Sequence, residues 1–278
     1  MDLTWLQSIL YGLLSGLTDV LPISSEAHKA LFLKFFGVKG DAFVLELLIH
    51  LGMLAALYYT GQTNLIRMRR AQILAKTPKR KRKRPLDMRS MMDWSLLKTM
   101  LIPVLLGLYL YQYTQKFSAN LVLIALFLFL NGLILYIPQF LPTGNRDSRT
   151  LSRVEGLLMG LGGTVSVLPG ISAVGVTTSI GSVCGVERSF ALTMTLLMNL
   201  FLVLGMSVYD IIHIVESGME VLSFTIILRY IVTVAASFGG TTLGIKILRR
   251  LAENQGYAIF GLYCWGMALF TFILNLIA

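Results

Sequence analysis

Long apolar stretches separated by short polar segments form most of the chain. Six of these stretches approach or exceed the roughly 20 residues that an α-helix needs to cross the hydrocarbon core of a bilayer. The predicted spans are residues 43–59, 96–113, 121–140, 190–212, 221–243 and 257–278. Because helices satisfy their backbone hydrogen bonds internally, this pattern predicts an all-α polytopic membrane protein with six full transmembrane helices.

The composition agrees with a membrane protein. Of the 278 residues, 55% are hydrophobic and 14% are charged, and the mean hydropathy is +0.73. A soluble domain could not bury that much apolar surface. The two cysteines, Cys184 and Cys264, lie in apolar or glycine-rich surroundings, so no disulfide or cysteine-based metal framework is expected.

The net charge of +10 is local rather than spread over the chain. Residues 67–89 contain eleven Lys or Arg and one Asp, which accounts for the whole excess. Prolines flank the basic run at 79–84, which favours a flexible loop at about residues 65–92 over a recognition helix. No nucleic-acid partner is therefore expected, and the loop is predicted to lie at the cytoplasmic surface near anionic lipid headgroups.

The positive-inside rule then orients the helices. With residues 65–92 inside, residues 143–153 and the basic residues near 246–250 also fall inside. Residues 213–220, which carry two glutamates, fall outside. Three separate basic clusters thus give one consistent topology.

The same topology makes two further apolar segments return to the side from which they start. Residues 3–40 must begin and end outside, and residues 154–187 must begin and end inside. Each segment is broken near its middle by a proline, within residues 21–25 and 168–172. Two helices per segment satisfy the count, either as two short spans or as a re-entrant hairpin. The short halves and polar breaks favour two broken re-entrant helix pairs.

These two segments also resemble each other in sequence. The matching stretches are 12–17 with 156–161, 21–22 with 168–169, and 43–45 with 190–192. Since one copy enters from outside and the other from inside, the match predicts an inverted repeat within a single membrane domain. Repeat one covers about residues 1–141 and repeat two about residues 153–278. A chance match of short apolar words is the alternative, and the shared order of the three matches disfavours it.

The first break is rich in polar and ionisable residues, which are costly at membrane depth unless they have a function. They are Ser15, Thr18, Asp19, Ser24, Ser25, Glu26, His28 and Lys29. The carboxylate of Asp19 can bind a divalent cation, and the imidazole of His28 can transfer protons. The hydroxyls of Ser24 and Ser25 can act as nucleophiles, so the set suits phosphoryl transfer. A helix that starts after residue 23 would add free N–H groups for an anion.

Structural alternatives exist for both breaks. In the first, Ser24 and Ser25 would only cap a helix while Glu26 and His28 face headgroups. The second break carries several glycines and the hydroxyl residues Ser172, Thr177, Thr178 and Ser179. Small residues of this kind also let membrane helices pack closely, so the second motif alone is a weak functional signal.

Two motifs resemble those of a known family. Residues 15–28, SGLTDVLPISSEAH, resemble the signature (E)GLTEFLP(I/V)SSTGH of the undecaprenyl pyrophosphate phosphatase family, also known for bacitracin resistance. Residues 169–175, PGISAVG, resemble its second signature, PG(T/I)SRSG, and residues 43–52 resemble the helix after the first. The likeness covers nearly the whole chain. It implies an inverted repeat in which two re-entrant helix pairs meet at a cavity open to the outside.

The resemblance also implies an activity. The family's enzyme uses a divalent cation to remove the terminal phosphate of a C55 isoprenoid pyrophosphate, which recycles the carrier lipid of cell-wall synthesis. We therefore expect a polyprenyl pyrophosphate phosphatase in a bacterial cytoplasmic membrane, with its active site facing outside. The expected substrate is a membrane lipid and the expected cofactor is Mg or Ca. A homodimer is one option for the oligomeric state.

Family roles carry over to matching positions. Asp19 matches the second acidic residue of the first motif and is the expected metal ligand. Ser25 is the expected nucleophile or phosphate-contacting hydroxyl, and His28 the proton-transfer group, so these three are the expected catalytic residues. The expected substrate-binding residues are Thr18, Ser24, Glu26, Lys29, Ser172, Ala173 and Thr177.

Three departures from the family pattern bear on activity. Ser15 stands where the family has its first glutamate, Glu26-Ala27 replaces Thr-Gly, and Ala173 replaces an arginine. An arginine at that position would hold the pyrophosphate through paired hydrogen bonds, and its loss costs on the order of 10²-fold in rate. The alanine is consistent with an engineered change, with a paralogue that binds lipid without cleaving it, or with another cation, such as Lys29, taking over.

Hydrolysis therefore has alternatives. An undecaprenyl phosphate flippase or transporter would also suit an inverted repeat around a polar site, and the fold does not choose between them. A lipid-binding paralogue without turnover is a third option. Glu26 lies near the same break as Ser15 and is a candidate to replace the missing acid.

Overall fold

The computed structural model describes residues 3–38, 43–82, 84–217, 224–253 and 257–277. The α-helices are α1 Trp5–Val20, α2 Ser25–Phe35, α3 Phe43–Lys76, α4 Met88–Thr114, α5 Leu121–Tyr136, α6 Arg153–Val165, α7 Ala173–Val183, α8 Arg188–Ser217, α9 Phe224–Glu253 and α10 Ala258–Ile277. Three short 3₁₀ turns lie at Lys79–Lys81, Gln115–Ala119 and Ile137–Phe140. Across these described ranges, the only β-pairing is an isolated bridge between Arg146 and Val186. The prediction of an all-α fold is confirmed.

Six of the helices are long and apolar enough to cross a membrane. Their bounds are Phe43–Lys76, Met88–Thr114, Leu121–Phe140, Arg188–Ser217, Thr225–Leu251 and Ala258–Ile277. Each overlaps one predicted span, which confirms the polytopic architecture. Residues 221–223 and Ala278, which the sequence placed in the fifth and sixth spans, lie outside the described residues.

These spans expose apolar side chains on the outside of the bundle. In the apolar windows of α4 and α10, only 33% and 28% of the residues are buried, so most side chains are at least partly exposed. Large apolar residues such as Leu105, Leu269 and Ile277 are among the exposed ones. An aqueous protein would not present so much continuous apolar surface, so this surface contacts lipid.

The helix α3 is longer than the apolar pattern suggested. It continues to Lys76, so the first part of the basic segment predicted as a loop over 65–92 is helical, and α4 begins at Met88. Residues 60–76 are mostly good helix formers and contain no proline before Pro78, which explains the extension. The stretch between the two helices is therefore residues 77–87.

Both broken segments consist of two short helices. Residues 21–24 separate α1 from α2, and residues 166–172 separate α6 from α7. The four helices contain 11 to 16 residues, which corresponds to about 17 to 24 Å and is less than the roughly 30 Å of a hydrocarbon core. The two helices of each pair pack against each other. These lengths favour the re-entrant arrangement. The depth to which the two pairs enter a membrane stays a prediction.

The helix contacts follow the order expected of a repeat. When α1–α5 are matched with α6–α10, the contact of α1 with α9 corresponds to that of α6 with α4. The matching exchanges α3 with α8 and α5 with α10, and the two helices of each of these pairs contact each other. This pattern supports the predicted repeat, whose boundaries stay a prediction.

Two matched glycines allow the closest of these contacts. A Cβ atom at Gly16 would overlap the carbonyl oxygen of Ser237 on α9, and one at Gly160 would overlap the carbonyl oxygen of Met100 on α4. The two glycines occupy equivalent places in the sequence match at 12–17 and 156–161. In membranes, small residues at such positions let helix backbones approach each other closely.

We expect Gly16→Ala to destabilise the protein by about 1 to 3 kcal/mol, because the backbone of α9 must move to admit the methyl group. Thermal unfolding of the purified protein in detergent measures the effect. Gly239→Ala is the matched control, since it lies in a helix with nothing within 4 Å of the added Cβ. It should be neutral or stabilising by up to about 1 kcal/mol, and equal losses in both variants would contradict the packing argument.

Candidate functional site

The two helix breaks are joined by a single amide side chain. Asn131 of α5 is fully buried. Its Nδ2 donates to the carbonyl oxygen of Pro22 at 3.0 Å, and its Oδ1 accepts from the backbone N–H of Ser172 at 3.0 Å. One side chain therefore satisfies a donor in one break and an acceptor in the other. Sequence reasoning missed Asn131, although a lone asparagine within an apolar span is itself a signal.

Two serines complete the connection between the breaks. The hydroxyl of Ser24 accepts from the backbone N–H of Gly170 at 2.9 Å, and that of Ser172 donates to the carbonyl oxygen of Leu21 at 3.3 Å. Ser24 has a φ of 68°, an unusual backbone conformation for a residue with a side chain. The hydroxyl of Ser24 does not cap α2, so the capping alternative does not apply to this residue.

We expect Asn131→Leu to lower stability by about 2 to 4 kcal/mol, because a buried carbonyl and a buried N–H both lose their partner. The melting temperature in detergent should fall accordingly. Asn64→Leu, on the half-buried surface of α3, is the control for the change in side-chain chemistry. If Asn131→Leu melts like the unchanged protein, the amide does not hold the breaks together.

A cavity of about 40 Å³ lies where the breaks meet, large enough for water or a cation. It is lined by Asp19, Ser25, Glu26, Ser166, Val167, Ile171, Ser172, Ala173, Asn199, Leu202 and Met206. Five of these are predicted site residues from both motifs. The structure therefore brings together parts of two motifs that are about 150 residues apart in sequence.

Two helices begin at this cavity. The first residue of α2 is Ser25 and the first residue of α7 is Ala173, and both line the cavity. The first backbone N–H groups of a helix have no acceptor within the helix, and the helix dipole adds positive potential at that end. One of these N–H groups, that of Gly175, already has a partner, because it donates to the hydroxyl of Ser172 at 3.2 Å. Two N-termini facing one cavity form a favourable environment for an anion.

The carboxylate of Asp19 is held in place by a residue that the sequence did not single out. Asn199 of α8 is buried, and its Nδ2 donates to Oδ2 of Asp19 at 2.8 Å. This contact fixes the orientation of Asp19 across the cavity. Asn199 could have been found as a polar residue inside the apolar stretch 190–212.

Glu26 belongs to a buried charge network. Lys29 forms ion pairs with Glu26, at 2.6 Å, and with Glu46 of α3. The hydroxyl of Tyr11 donates to Oε1 of Glu46 at 2.8 Å. Lys29 is not among the residues lining the cavity, and two carboxylates already balance its charge. Lys29 is thus poorly placed to act as a substitute for the family arginine.

A second buried ion pair lies between the central spans. Nδ1 of His50 on α3 is 2.7 Å from Oδ2 of Asp210 on α8, and both side chains are almost completely buried. Neither residue was predicted. Buried ionisable groups within spans are expensive, so their pairing is what makes them tolerable there.

Five of the predicted residues do not line the cavity: Ser24 and Lys29, described above, and His28, Thr18 and Thr177. Nδ1 of His28 is 2.7 Å from the carbonyl oxygen of Ser24, and Nε2 is 2.8 Å from the hydroxyl of Tyr263. A carbonyl only accepts, so Nδ1 carries the proton in this arrangement. Thr18 donates to the carbonyl oxygen of Leu14, and the buried hydroxyl of Thr177 has no hydrogen-bond partner in the described part of the chain. Their roles in catalysis or binding stay predictions.

The cavity offers ligands that suit a hard divalent cation. Asp19 and Glu26 supply carboxylate oxygens, and Ser25 supplies a hydroxyl. Among the described residues, no group of three or more His, Cys, Asp or Glu side chains could hold a metal ion. Mg²⁺ is often bound by one or two carboxylates together with water and substrate phosphates, so a closed protein cage is not required.

Comparison with known proteins identifies relatives over nearly the whole chain. The sequence matches the family described as "Bacitracin resistance protein BacA" over residues 8–270. It is 30% identical over 273 residues to the "Undecaprenyl-diphosphatase" of Methanobrevibacter smithii, with 96% of each chain covered. It is 27% identical over 275 residues to "Undecaprenyl-diphosphatase 1" of Shouchella clausii, covering 96% of this chain and 95% of that protein. The chain belongs to the bacitracin resistance protein BacA family.

Proposed function

We propose that this protein is an undecaprenyl pyrophosphate phosphatase, which hydrolyses a polyprenyl pyrophosphate to the polyprenyl phosphate and inorganic phosphate. The family and the names of its relatives support this assignment. The observation that carries it is the cavity at which α2 and α7 both begin, beside the hydroxyl of Ser25 and the carboxylates of Asp19 and Glu26. Helix N-termini attract the phosphates, and the side chains supply the chemistry.

The proposed reaction begins at Ser25. Its hydroxyl donates to the carbonyl oxygen of Ser15 at 3.2 Å, which leaves the lone pairs of Oγ free for the cavity. In the reaction, Oγ loses its proton to a cavity carboxylate, Asp19 or Glu26, and attacks the terminal phosphorus. The bond to the bridging oxygen breaks, and the polyprenyl phosphate leaves. Water then hydrolyses the phosphoserine and restores Ser25.

Glu26 is the proposed replacement for the glutamate that the family has at position 15. Its carboxylate lines the cavity together with Asp19, whereas the buried hydroxyl of Ser15 lacks a hydrogen-bond partner among the described residues. The pairing of Glu26 with Lys29 holds the carboxylate in a defined position. A chain that lost one acid of the motif therefore retains two carboxylates at its cavity.

A divalent cation, Mg or Ca, is proposed as the cofactor. Asp19 is its first protein ligand, and Asn199 orients that carboxylate. When bound, the cation would neutralise charge that develops on the phosphate oxygens. The residues that hold it would be those that already line the cavity, with the substrate phosphates completing the coordination.

The proposed location is a bacterial cytoplasmic membrane, with the cavity open to the outside. The run of basic residues between α3 and α4 supports this orientation through the positive-inside rule. The proposed partner is the membrane lipid substrate itself. A homodimer stays an option for the oligomeric state.

The test of hydrolysis is phosphate release from a polyprenyl pyrophosphate by the purified protein, with Mg²⁺ or Ca²⁺ and again with a chelator. Cation-dependent release is the expected result. The competing proposal, transport of undecaprenyl phosphate, fits the symmetric contacts of α1–α5 and α6–α10 around a buried polar site. Movement of labelled undecaprenyl phosphate across proteoliposomes without phosphate release would favour transport and contradict hydrolysis.

A further inference from the structure

A basic groove lies between α3 and the segment that enters α4, and it shares no lining residue with the cavity. It has a volume of about 530 Å³. One wall is a single face of α3, because its lining residues at 63, 66, 67, 70, 71 and 74 follow the three- and four-residue spacing of a helix. The other wall is formed by Arg84, Pro85 and Asp87. The reaction proposed above makes no use of this groove.

Arg82, which precedes the second wall in sequence, is bonded to the end of α3. Nε of Arg82 donates to the carbonyl oxygen of Thr77 at 2.8 Å, and Nη2 donates to that of Ala75 at 2.9 Å. These carbonyls lie at the end of α3, where the helix leaves acceptors without partners. Arg82 is therefore fixed against the end of α3, next to the groove.

The charge of the groove is strongly positive. The exposed residues Arg67, Arg70 and Arg84 line it, and Asp87 is the only acidic residue of the lining. Arg67 is paired with Asp93, at 3.0 Å. In the described part of the chain, no ion pair is recorded for Arg70 or Arg84.

The acidic residue of the lining is already engaged. The hydroxyl of Ser90 donates to Oδ2 of Asp87 at 2.6 Å, and its backbone N–H donates to Oδ1 at 3.0 Å. These hydrogen bonds hold the pKa of Asp87 below its ordinary value. Asp87 therefore caps the start of α4 and stays ionised, so the lining carries three positive charges and one negative charge.

The position of the groove matches the depth of lipid headgroups. α3 has 34 residues, which corresponds to about 51 Å, whereas the hydrocarbon core is roughly 30 Å thick, or about 20 residues. If Phe43 starts at the outer interface, the hydrocarbon ends near residue 63, where the groove begins. Ile66, Leu74 and Pro85 add apolar surface beside the guanidinium groups. Phosphate next to glycerol and acyl chains is the chemistry that fits both kinds of surface.

We propose that this groove binds the phosphate headgroup of an anionic phospholipid from the inner leaflet. Arg70 and Arg84 hold the phosphate from opposite walls, and the apolar residues contact the glycerol and the first part of the acyl chains. The site is separate from the phosphatase cavity and does not depend on the reaction proposed for it. It anchors the cytoplasmic end of α3 to the membrane surface.

The test compares two double variants of the intact protein in nanodiscs of zwitterionic lipid with increasing phosphatidylglycerol, with retained lipid measured by native mass spectrometry. Arg70→Gln with Arg84→Gln should weaken phosphatidylglycerol retention about tenfold or more, since a charge-assisted hydrogen bond contributes at least that much. Lys79→Gln with Arg80→Gln removes the same charge from exposed residues outside the groove lining, and should change retention less than about threefold.

Equal losses in the two double variants would mean diffuse attraction by the loop and would overturn the proposal. Unchanged retention in the groove variant would overturn it as well. A competition arm with inorganic phosphate separates the two sources of the anion. Displacement of phosphatidylglycerol by millimolar phosphate would assign the groove to a free anion, whereas retained lipid supports the lipid site.

Discussion

A Ser25→Ala variant is expected to release phosphate from a polyprenyl pyrophosphate on the order of 10³-fold more slowly than the unchanged chain. Ser25 is the first residue of α2, and its hydroxyl lines the cavity that is also formed by Asp19 and Glu26. The substitution removes one hydrogen bond, to the carbonyl oxygen of Ser15, so stability should fall by only about 1 kcal/mol. Phosphate release and thermal melting of the same preparation separate the two effects.

The control for Ser25→Ala is Ser95→Ala, at an exposed position of α4. It should leave the rate unchanged. Because the unchanged chain lacks the family arginine, the pair is best measured again with arginine at position 173, where a higher starting rate widens the range. A Ser25→Ala protein that is folded and retains more than about a tenth of the rate would exclude Ser25 as the nucleophile.

Replacing Ala173 by arginine is expected to raise phosphate release on the order of 10²-fold. Ala173 lines the cavity at the first turn of α7. A guanidinium there would donate paired hydrogen bonds to the substrate phosphate and add fixed positive charge beside the two helix N-termini. The cavity lining contains no Lys or Arg, so apart from the proposed cation its positive potential comes from those N-termini. The gain should appear in kcat more than in KM, because the charge that the arginine meets develops in the transition state.

Two other substitutions at position 173 separate charge from size. Ala173→Lys adds the charge without the planar fork and should give a smaller gain. Ala173→Met adds comparable bulk without charge, and against Leu202 and Met206 it should lower stability without raising the rate. If arginine and methionine have the same effect on rate, the electrostatic explanation is wrong.

The apolar pattern was enough to predict the architecture. All six spans were found because a run of about 20 apolar residues has few other structures available to it. The two interruptions were found because Pro22 and Pro169 each stand inside an apolar segment with polar neighbours. Because the positive-inside rule places all the basic loops on one side of the membrane, each interrupted segment has to begin and end on the same side and therefore to turn back. These signals are local or follow from counting, so they need no knowledge of packing.

The partners within the site could not be predicted in the same way. Asn131, Asn199 and Glu46 are polar residues with apolar neighbours along their helices, and each one contacts a residue on another helix or at a helix break. Which helix face turns towards which neighbour depends on side-chain packing over the whole bundle. A rule that treats every polar residue within a span as functional would have selected all three, without naming their partners.

His28 shows the limit of a motif on a short helix. It lies three residues after Ser25, yet its ring is bonded to Ser24 and Tyr263 while Ser25 and Glu26 line the cavity. The motif gives the spacing along the chain, but the rotation of α2 decides which side chains share a face. The proton-transfer role of His28 stays a prediction. It can be tested by comparing the pH profiles of the Ala173→Arg enzyme with and without His28→Gln.

The hydrogen bonds that join the two breaks have a consequence for biosynthesis. The carbonyl oxygens of Leu21 and Pro22 and the hydroxyl of Ser24 find their partners at Asn131, Gly170 and Ser172. When the ribosome has made only the first repeat, most of these partners have not yet been translated. The hydrogen bonds to Gly170 and Ser172 can therefore form only after residues 170–172 have been inserted, and until then the first broken pair stays incompletely bonded in the membrane.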